Sequence, residues 1–375
     1  MKQILQIAII LLFLTSLTIS CKKSLISLVS SGNNSGGTGT DSNHSPDSVS
    51  TYAGSGILGL VNGSDSVAQF AGPTGVAVDL QGNVYVLDAQ NYVIRKITPA
   101  GQVSTLAGNG NQGFVNGPGV IAEFSSPNGI AVDAQGNVYV SEGMDDNYNR
   151  IREISPSGVV STFAGRGIFG FKNGTGTASA FFTPAGMAFD AQGNLYVADQ
   201  YNNCIRKITP AGVVSTFAGN GKQGALDGPA DSAEFSVPTD VTVDLLDNVY
   251  VADNYNSEIR KITPSGVVST LAGSVNNTGT ANGTGAAAEF VSPQAVTIDG
   301  QGNIYETDGI NNSSIRKITS AGVVTTLAGN VDGGFMNGPF SNAMFSSPSG
   351  LAVDTKGNIY VADQGNNMIR KITLQ

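Results

Sequence analysis

The sequence predicts an all-β fold: a six-bladed β-propeller of four-stranded blades, its ring closed by the N-terminal strand (residues 49–54). Three observations predict it. A segment of the form G-V-A-V-D-x-x-G-N-V-Y-V recurs six times. It is anchored by Asp79, Asp133, Asp190, Asp244, Asp299 and Asp354, at spacings of 54, 57, 54, 55 and 55 residues. Each copy is followed by a strand of the form I-R-K-I-T, and the last of these, Ile369–Thr373, has no fourth strand after it. Val49-Ser50-Thr51-Tyr52-Ala53-Gly54 is a fourth strand with no blade before it. A self-similar period marks a repeat architecture, and four strands repeated radially make propeller blades. The offset strand completes the last blade and covers its open edge.

The chain before the repeats reads as an address and a tether. Lys2 precedes an apolar run from Ile4 to Leu14, the layout of a secretory signal over residues 1–20, and the run is short for a membrane span. Leu17-Thr18-Ile19-Ser20-Cys21 resembles a bacterial lipobox, which implies a lipid on Cys21 and a membrane anchor without a spanning helix. Lys22, rather than Asp, after Cys21 points to the outer membrane of a cell envelope. Residues 21–48 are rich in Ser, Gly and Asn, a flexible tether whose r.m.s. reach is on the order of 30 Å.

Within a repeat, strand a is the apolar piece that ends at the anchoring Asp. The D-x-x-G-N turn follows, with Gly supplying a positive φ; in the fourth copy Asp247 takes that place. Strand b is N-V-Y-V, strand c is I-R-K-I-T, and a Pro-x-Gly or Ser-Ala-Gly turn leads to strand d, V-S-T-L-A-G. These residues together resemble the NHL repeat. The resemblance spans residues 49–375 and implies a propeller, but a shared fold does not fix a function. Proteins with such repeats bind proteins, RNA or small ligands, and related six-bladed propellers include lyases and lactonases.

The connections from strand d to the next strand a are long and carry their own pattern. Each has Asn-Gly or Asp-Gly, then A-x-F-x-x-P with Ser179 for the Ala in the third, which places Phe70, Phe124, Phe181, Phe235, Phe290 and Phe345 at one fixed distance before strand a. A plug packed between blades is the expectation; an aromatic platform for a ligand is the other reading. These connections and the b–c turns share one face, where binding on a rigid scaffold is expected. The same face carries an acid at the end of every strand b: Asp88, Glu142, Asp199, Asp253, Asp308 and Asp363. Such a ring can meet a cation or a basic partner. Its repetition in all six blades, with an Asn and an Arg following, favours a turn-shaping role and exposed Arg pairs worth about 0–1 kcal/mol each.

Candidate ligand residues are those the repeat does not need. Asp240 stands at the Gly75 position near the mouth of the central channel. Glu306 replaces the Val of the other blades in strand b. Three extra residues in the b–c turn of blade 2 bring Glu142, Asp145 and Asp146 together. A carboxylate in place of core Val is costly unless paired or metal-bound, so Asp240, Glu306 and the acidic turn form a candidate ligand or cation site, with Ca²⁺ as the fitting ion. Cys204 varies between blades and reads as partly exposed and incidental.

The chain has one His, His44, in the tether, which excludes Ser-His, Cys-His and His-ligated zinc chemistry in the propeller. A net charge of −9 argues against a nucleic-acid partner. The expectation is a monomeric cell-envelope lipoprotein that binds a protein, small molecule or glycan through its loop-rich face. No cofactor beyond Ca²⁺ is expected. A carboxylate- or Ca²⁺-assisted lyase or lactonase-like enzyme, or a structural envelope component, are the alternatives.

Overall fold

The computed structural model describes residues 47–143, 147–309 and 312–374. The signal segment, Cys21, His44, nearly all of the 21–48 tether, and Asp145 and Asp146 lie outside them. The described chain forms six antiparallel sheets, one per blade. In blade 1, strand a is Pro73–Val78, b Val84–Asp88, c Val93–Ile97 and d Gln102–Ala107. Blade 3 repeats them as Pro184–Phe189, Leu195–Asp199, Cys204–Ile208 and Val213–Ala218. In blade 6 strands a to c are Pro348–Val353, Ile359–Asp363 and Met368–Thr373.

The fourth strand of blade 6 is Ser48–Ala53, paired with Met368–Thr373 in the register Val49↔Ile372 and Thr51↔Arg370. The ring is closed by the segment the sequence singles out. One detail differs from the four-stranded expectation. Each long connection also contributes a two-residue fifth strand e, such as Gly63–Ser64, which pairs outside strand d. The Gly of the Asn-Gly or Asp-Gly pair opens each of these strands, with φ between +125° and +157° in five blades (Gly63, Gly117, Gly174, Gly228 and Gly338).

The anchoring Asp explains the a–b turn. Asp79 Oδ1 accepts the backbone N–H groups of Gln81 and Asn83, and Oδ2 accepts Asn83 Nδ2 at 2.7 Å and the Tyr85 hydroxyl at 3.0 Å. Asp247 holds its substituted turn at φ +61°.

The core lies between blades. Every hydrophobic cluster joins two neighbours; one gathers Tyr85, Leu87 and Ile94 of blade 1 with Ile130, Val138 and Ile154 of blade 2. The six connection phenylalanines are each fully buried, one in every cluster, as interblade plugs. Both faces of a blade are therefore covered, and the alternation that sends every second residue of a half-buried strand to water does not apply.

Candidate functional site

The strand-b acids and strand-c arginines build the same device in each blade. Arg95, Arg152, Arg206, Arg260, Arg316 and Arg370 are all fully buried. In blade 1, Arg95 Nη1 donates to Asp88 Oδ2 and to the Gln69 carbonyl, both at 2.8 Å. Its Nη2 donates to the Val61 carbonyl and to Asn62 Oδ1, both at 2.8 Å. Asp88 Oδ1 accepts the Ala71 N–H, and Asn91 Nδ2 donates to Asp88 Oδ2 and the Gly59 carbonyl. The guanidinium lies over the Phe70 ring, 5.0 Å from its centroid. One arginine thus ties strand b, the b–c turn and the long connection together. A bulge in strand d sits beside it: Ile94 pairs with Ala107 but Arg95 with Thr105.

Asp199–Arg206, Asp253–Arg260 and Asp363–Arg370 repeat the pair at 2.6–2.7 Å with both side chains fully buried. The exposed, weakly contributing pairs expected from the sequence are thus corrected: these are buried charges whose remaining lone pairs and donors are almost all satisfied. Only the Arg Nε–H is left without an acceptor. Burial pushes the Asp199 and Asp253 carboxyls up to about 6, against the pull of Arg, Asn and backbone donors. It also raises Asp88, Glu142 and Asp363.

Glu142 is the blade 2 member of this set. It accepts the Ser125 N–H at 2.7 Å and pairs with Arg152 at 3.0 Å, so it is committed to the blade rather than to a cation-binding turn. Among the described residues no three His, Cys, Asp or Glu side chains group closely enough to hold a metal ion.

Glu306 is fully buried in strand b of blade 5, Ile304–Asp308, opposite Val296 in strand a and Arg316 in strand c. Neither carboxyl oxygen has a hydrogen-bond partner. Burial, reinforced by Asp308, holds its proton well above the ordinary carboxylate range. The neighbouring Arg316–Asp308 distance is 3.5 Å, longer than the corresponding pair in any other blade. Asp240 and Glu306 lie on adjacent blades without a hydrogen bond between them, so the structure does not join them into one site. Cys204, expected to be partly exposed, is fully buried in strand c of blade 3, and burial pushes its thiol up.

The central channel, about 330 Å³, is walled by strand a of all six blades. At the loop-rich mouth the wall presents Thr74, Asn128, Thr239, Gln294 and Ser349, with Gln200 reaching in from a b–c turn. The other end is apolar, with Val78, Val132, Phe189 and Val353. One step inside the polar mouth the ring is Gly75, Gly129, Gly186, Asp240, Ala295 and Gly350. Asp240 is the one ionisable side chain among the described lining residues. It packs against Gly186, where any Cβ would collide with its carboxylate. Oδ1 accepts the Val241 N–H at 2.8 Å and Oδ2 the Val296 N–H at 2.9 Å. Burial pushes the carboxyl up to about 7, with those two donors opposing, so both protonation states populate near neutral pH. Thr74 Oγ1 and Gln200 Oε1 at this mouth have no partner. Sequence reasoning found Asp240 and missed Gln200, whose turn looks like ordinary punctuation between strands.

The closed ring of six antiparallel sheets around a channel places the molecule among the six-bladed β-propellers. The NHL repeat model matches residues 183–208 and 345–372, strands a to c of blades 3 and 6. The chain is 30% identical to Protein SUPPRESSOR OF QUENCHING 1, chloroplastic, of Arabidopsis thaliana over 72% of its length, and 28% identical to human NHL repeat-containing protein 2 over 84%. It spans 27% and 41% of those two proteins, respectively. Among solved structures it resembles a Bacteroides thetaiotaomicron protein of unknown function, at TM-score 0.67 and 23% identity, covering 87% of this chain and 76% of that one. An auxiliary nutrient binding protein from Bacteroides ovatus aligns at TM-score 0.65 and 17% identity with the same coverage.

Proposed function

We propose that the protein is a bacterial cell-envelope lipoprotein, tethered through a lipid on Cys21, that binds a ligand on the loop-rich face of its propeller. The observation that carries the reading is the channel mouth. In the blades, the strand-b acids other than Glu306 are all consumed by internal bonds. At the mouth, Asp240 and the buried Thr74 Oγ1 and Gln200 Oε1 keep hydrogen-bonding capacity that the fold does not use. The described lining contains no cation, so the mouth suits a neutral polar ligand rather than an anion. The likeness in fold to an auxiliary nutrient binding protein agrees with a role in capturing a nutrient at the envelope.

A thermal-shift screen against neutral sugars, amino acids and cell-wall fragments tests the reading. A ligand at a hundredfold over its Kd adds about 2.7 kcal/mol of stability, and Asp240→Gly, which restores the Gly of other blades, is expected to abolish that shift. A shift unchanged in Asp240→Gly removes the channel mouth from the account. Lipidation is tested by Cys21→Ser, expected to move the protein from the membrane to the soluble fraction and to end labelling by a radioactive fatty acid.

A further inference from the structure

Blade 3 departs from the other blades on the loop-rich face, a few residues from the channel mouth. In blades 2 and 4, Gln112 and Gln223 of the long connection donate to Ser125 and Ser236 at 3.1 and 2.9 Å. The same two positions in blade 3 are Phe169 and Phe182, whose rings lie 5.1 Å apart at 33°. Tyr201 of the b–c turn extends the row, 5.2 Å from Phe182. Tyr255, at the position of Tyr201 in blade 4, is 64% exposed, and Phe169 is 40% exposed. Blades 1, 2, 4, 5 and 6 close without such a row, so folding does not require it.

The rings are fixed in place. Tyr201 N–H donates to the Phe182 carbonyl at 3.1 Å, and Gln200 N–H to the Thr183 carbonyl at 3.3 Å. Asn202 Nδ2 donates to the Gly170 carbonyl at 2.9 Å, which pins the residue next to Phe169 to the same turn. Gln200, adjacent to Tyr201, lines the channel with its Oε1 unpartnered. The row therefore leads from the rim, where the exposed Arg166 flanks Gly170, to the polar mouth where Asp240 sits.

The geometry points to a neutral oligosaccharide as the ligand: we infer that its sugar rings lay their C–H faces on Phe169, Tyr201 and Tyr255 while its hydroxyls bond Gln200 and the channel-mouth side chains. This inference rests on the proposed binding role and names its ligand class. Sugars carry an apolar face and a hydroxyl edge on each unit, the two surfaces offered side by side here. Preorganised rings add affinity because little freedom is lost on binding. A peptide adding as a strand finds no edge, since strand e on each blade's outer side is two residues long.

Native electrophoresis of the full chain through gels containing laminarin, mannan, xyloglucan or soluble starch, with alginate as an acidic control, tests it. The double variant Phe169→Gln with Phe182→Ser installs the hydrogen-bonded pair of blades 2 and 4, and Tyr201→Gly copies Gly365 of blade 6; both are designed to keep the fold, which an unchanged Tm checks. The expected result is retardation in at least one neutral gel, weakened roughly tenfold or more in each variant. Retardation that survives both variants but is lost in Asp240→Gly overturns the aromatic row and leaves the channel mouth standing. Retardation only in alginate, or in no gel, overturns the neutral oligosaccharide, and the small-molecule thermal shift then judges the mouth by itself.

Discussion

The arginine clamps and the channel ring use the same kind of side chain to opposite ends. In the clamps, a carboxylate occurs in every blade, is wholly enclosed, and spends its lone pairs on Arg, Asn and backbone donors of its own blade. In the channel ring, a carboxylate occurs once, at Asp240, beside glycines, and keeps capacity to spare. The difference teaches that in a repeat protein the residue type says less than its symmetry. What recurs in all blades serves the blade, and what occurs once is not required by the repeat.

The comparison breaks most severely if the ring itself opens. Deleting residues 48–53 removes strand d of blade 6 and Thr51, which accepts a hydrogen bond from Asn337 of that blade's clamp. The expected outcome is loss of soluble protein or a Tm lowered by more than about 10 °C in a melting experiment. Next comes a single clamp. Arg206→Ala leaves Asp199 buried without its cation and is expected to cost about 3–5 kcal/mol in urea unfolding. A cost under about 1 kcal/mol would show that the clamps are ornaments of the turn rather than supports of the blade.

Glu306 sharpens the comparison from inside the fold, as a carboxyl that belongs to neither set. Its proton is held well above the ordinary 4.5, so the folded state binds more protons than the unfolded chain once the pH exceeds that value. Stability from this group is complete below 4.5 and is lost as pH rises through the raised value. Glu306→Val restores the residue of the other blades and is expected to stabilise the protein by about 1–4 kcal/mol, more at pH about 8 than at about 5. Equal gains at both pH values would mean that the carboxyl is not the source. The smallest effect at acid pH belongs to Asp240→Gly. It is expected to leave stability nearly unchanged at pH about 4 and to flatten the decline between the ordinary 3.8 and about 7, over which the native carboxyl keeps a proton that the unfolded chain has lost. Urea melts across that range measure both slopes.

The blades, the closing strand and the phenylalanine plugs were legible in the sequence because each repeats at a fixed offset. The depth of Arg95 was not. In I-R-K-I both charged residues look solvent-facing, and only the packing of blades against both faces, with a bulge beside the arginine, puts one of them inside while Lys96 stays partly exposed. Its partner Asn62 lies 33 residues earlier in a connection that reads as plain turn chemistry. The two-residue strands e are too short to carry a pattern. Asp240 was visible as a broken symmetry, and Phe182 was visible in the same way: the other blades have Ala71, Ser125, Ser236, Val291 and Ser346 there. What hid Phe182 was Phe181 beside it, a plug that absorbs the expectation of an aromatic at that point.

The closing strand also sets an order of events during synthesis. Thr51 and Met368, which meet across the closing pair, are 317 residues apart. Strand Ser48–Ala53 must wait for blade 6, and until then that blade has no fourth strand and blades 1 and 6 have no shared core. Blades 1 to 5 can stack as they emerge, but the ring becomes cooperative only at the last step. A propeller built this way stays open along one radius until its sixth blade is made, with the interblade faces of blades 1 and 6 uncovered.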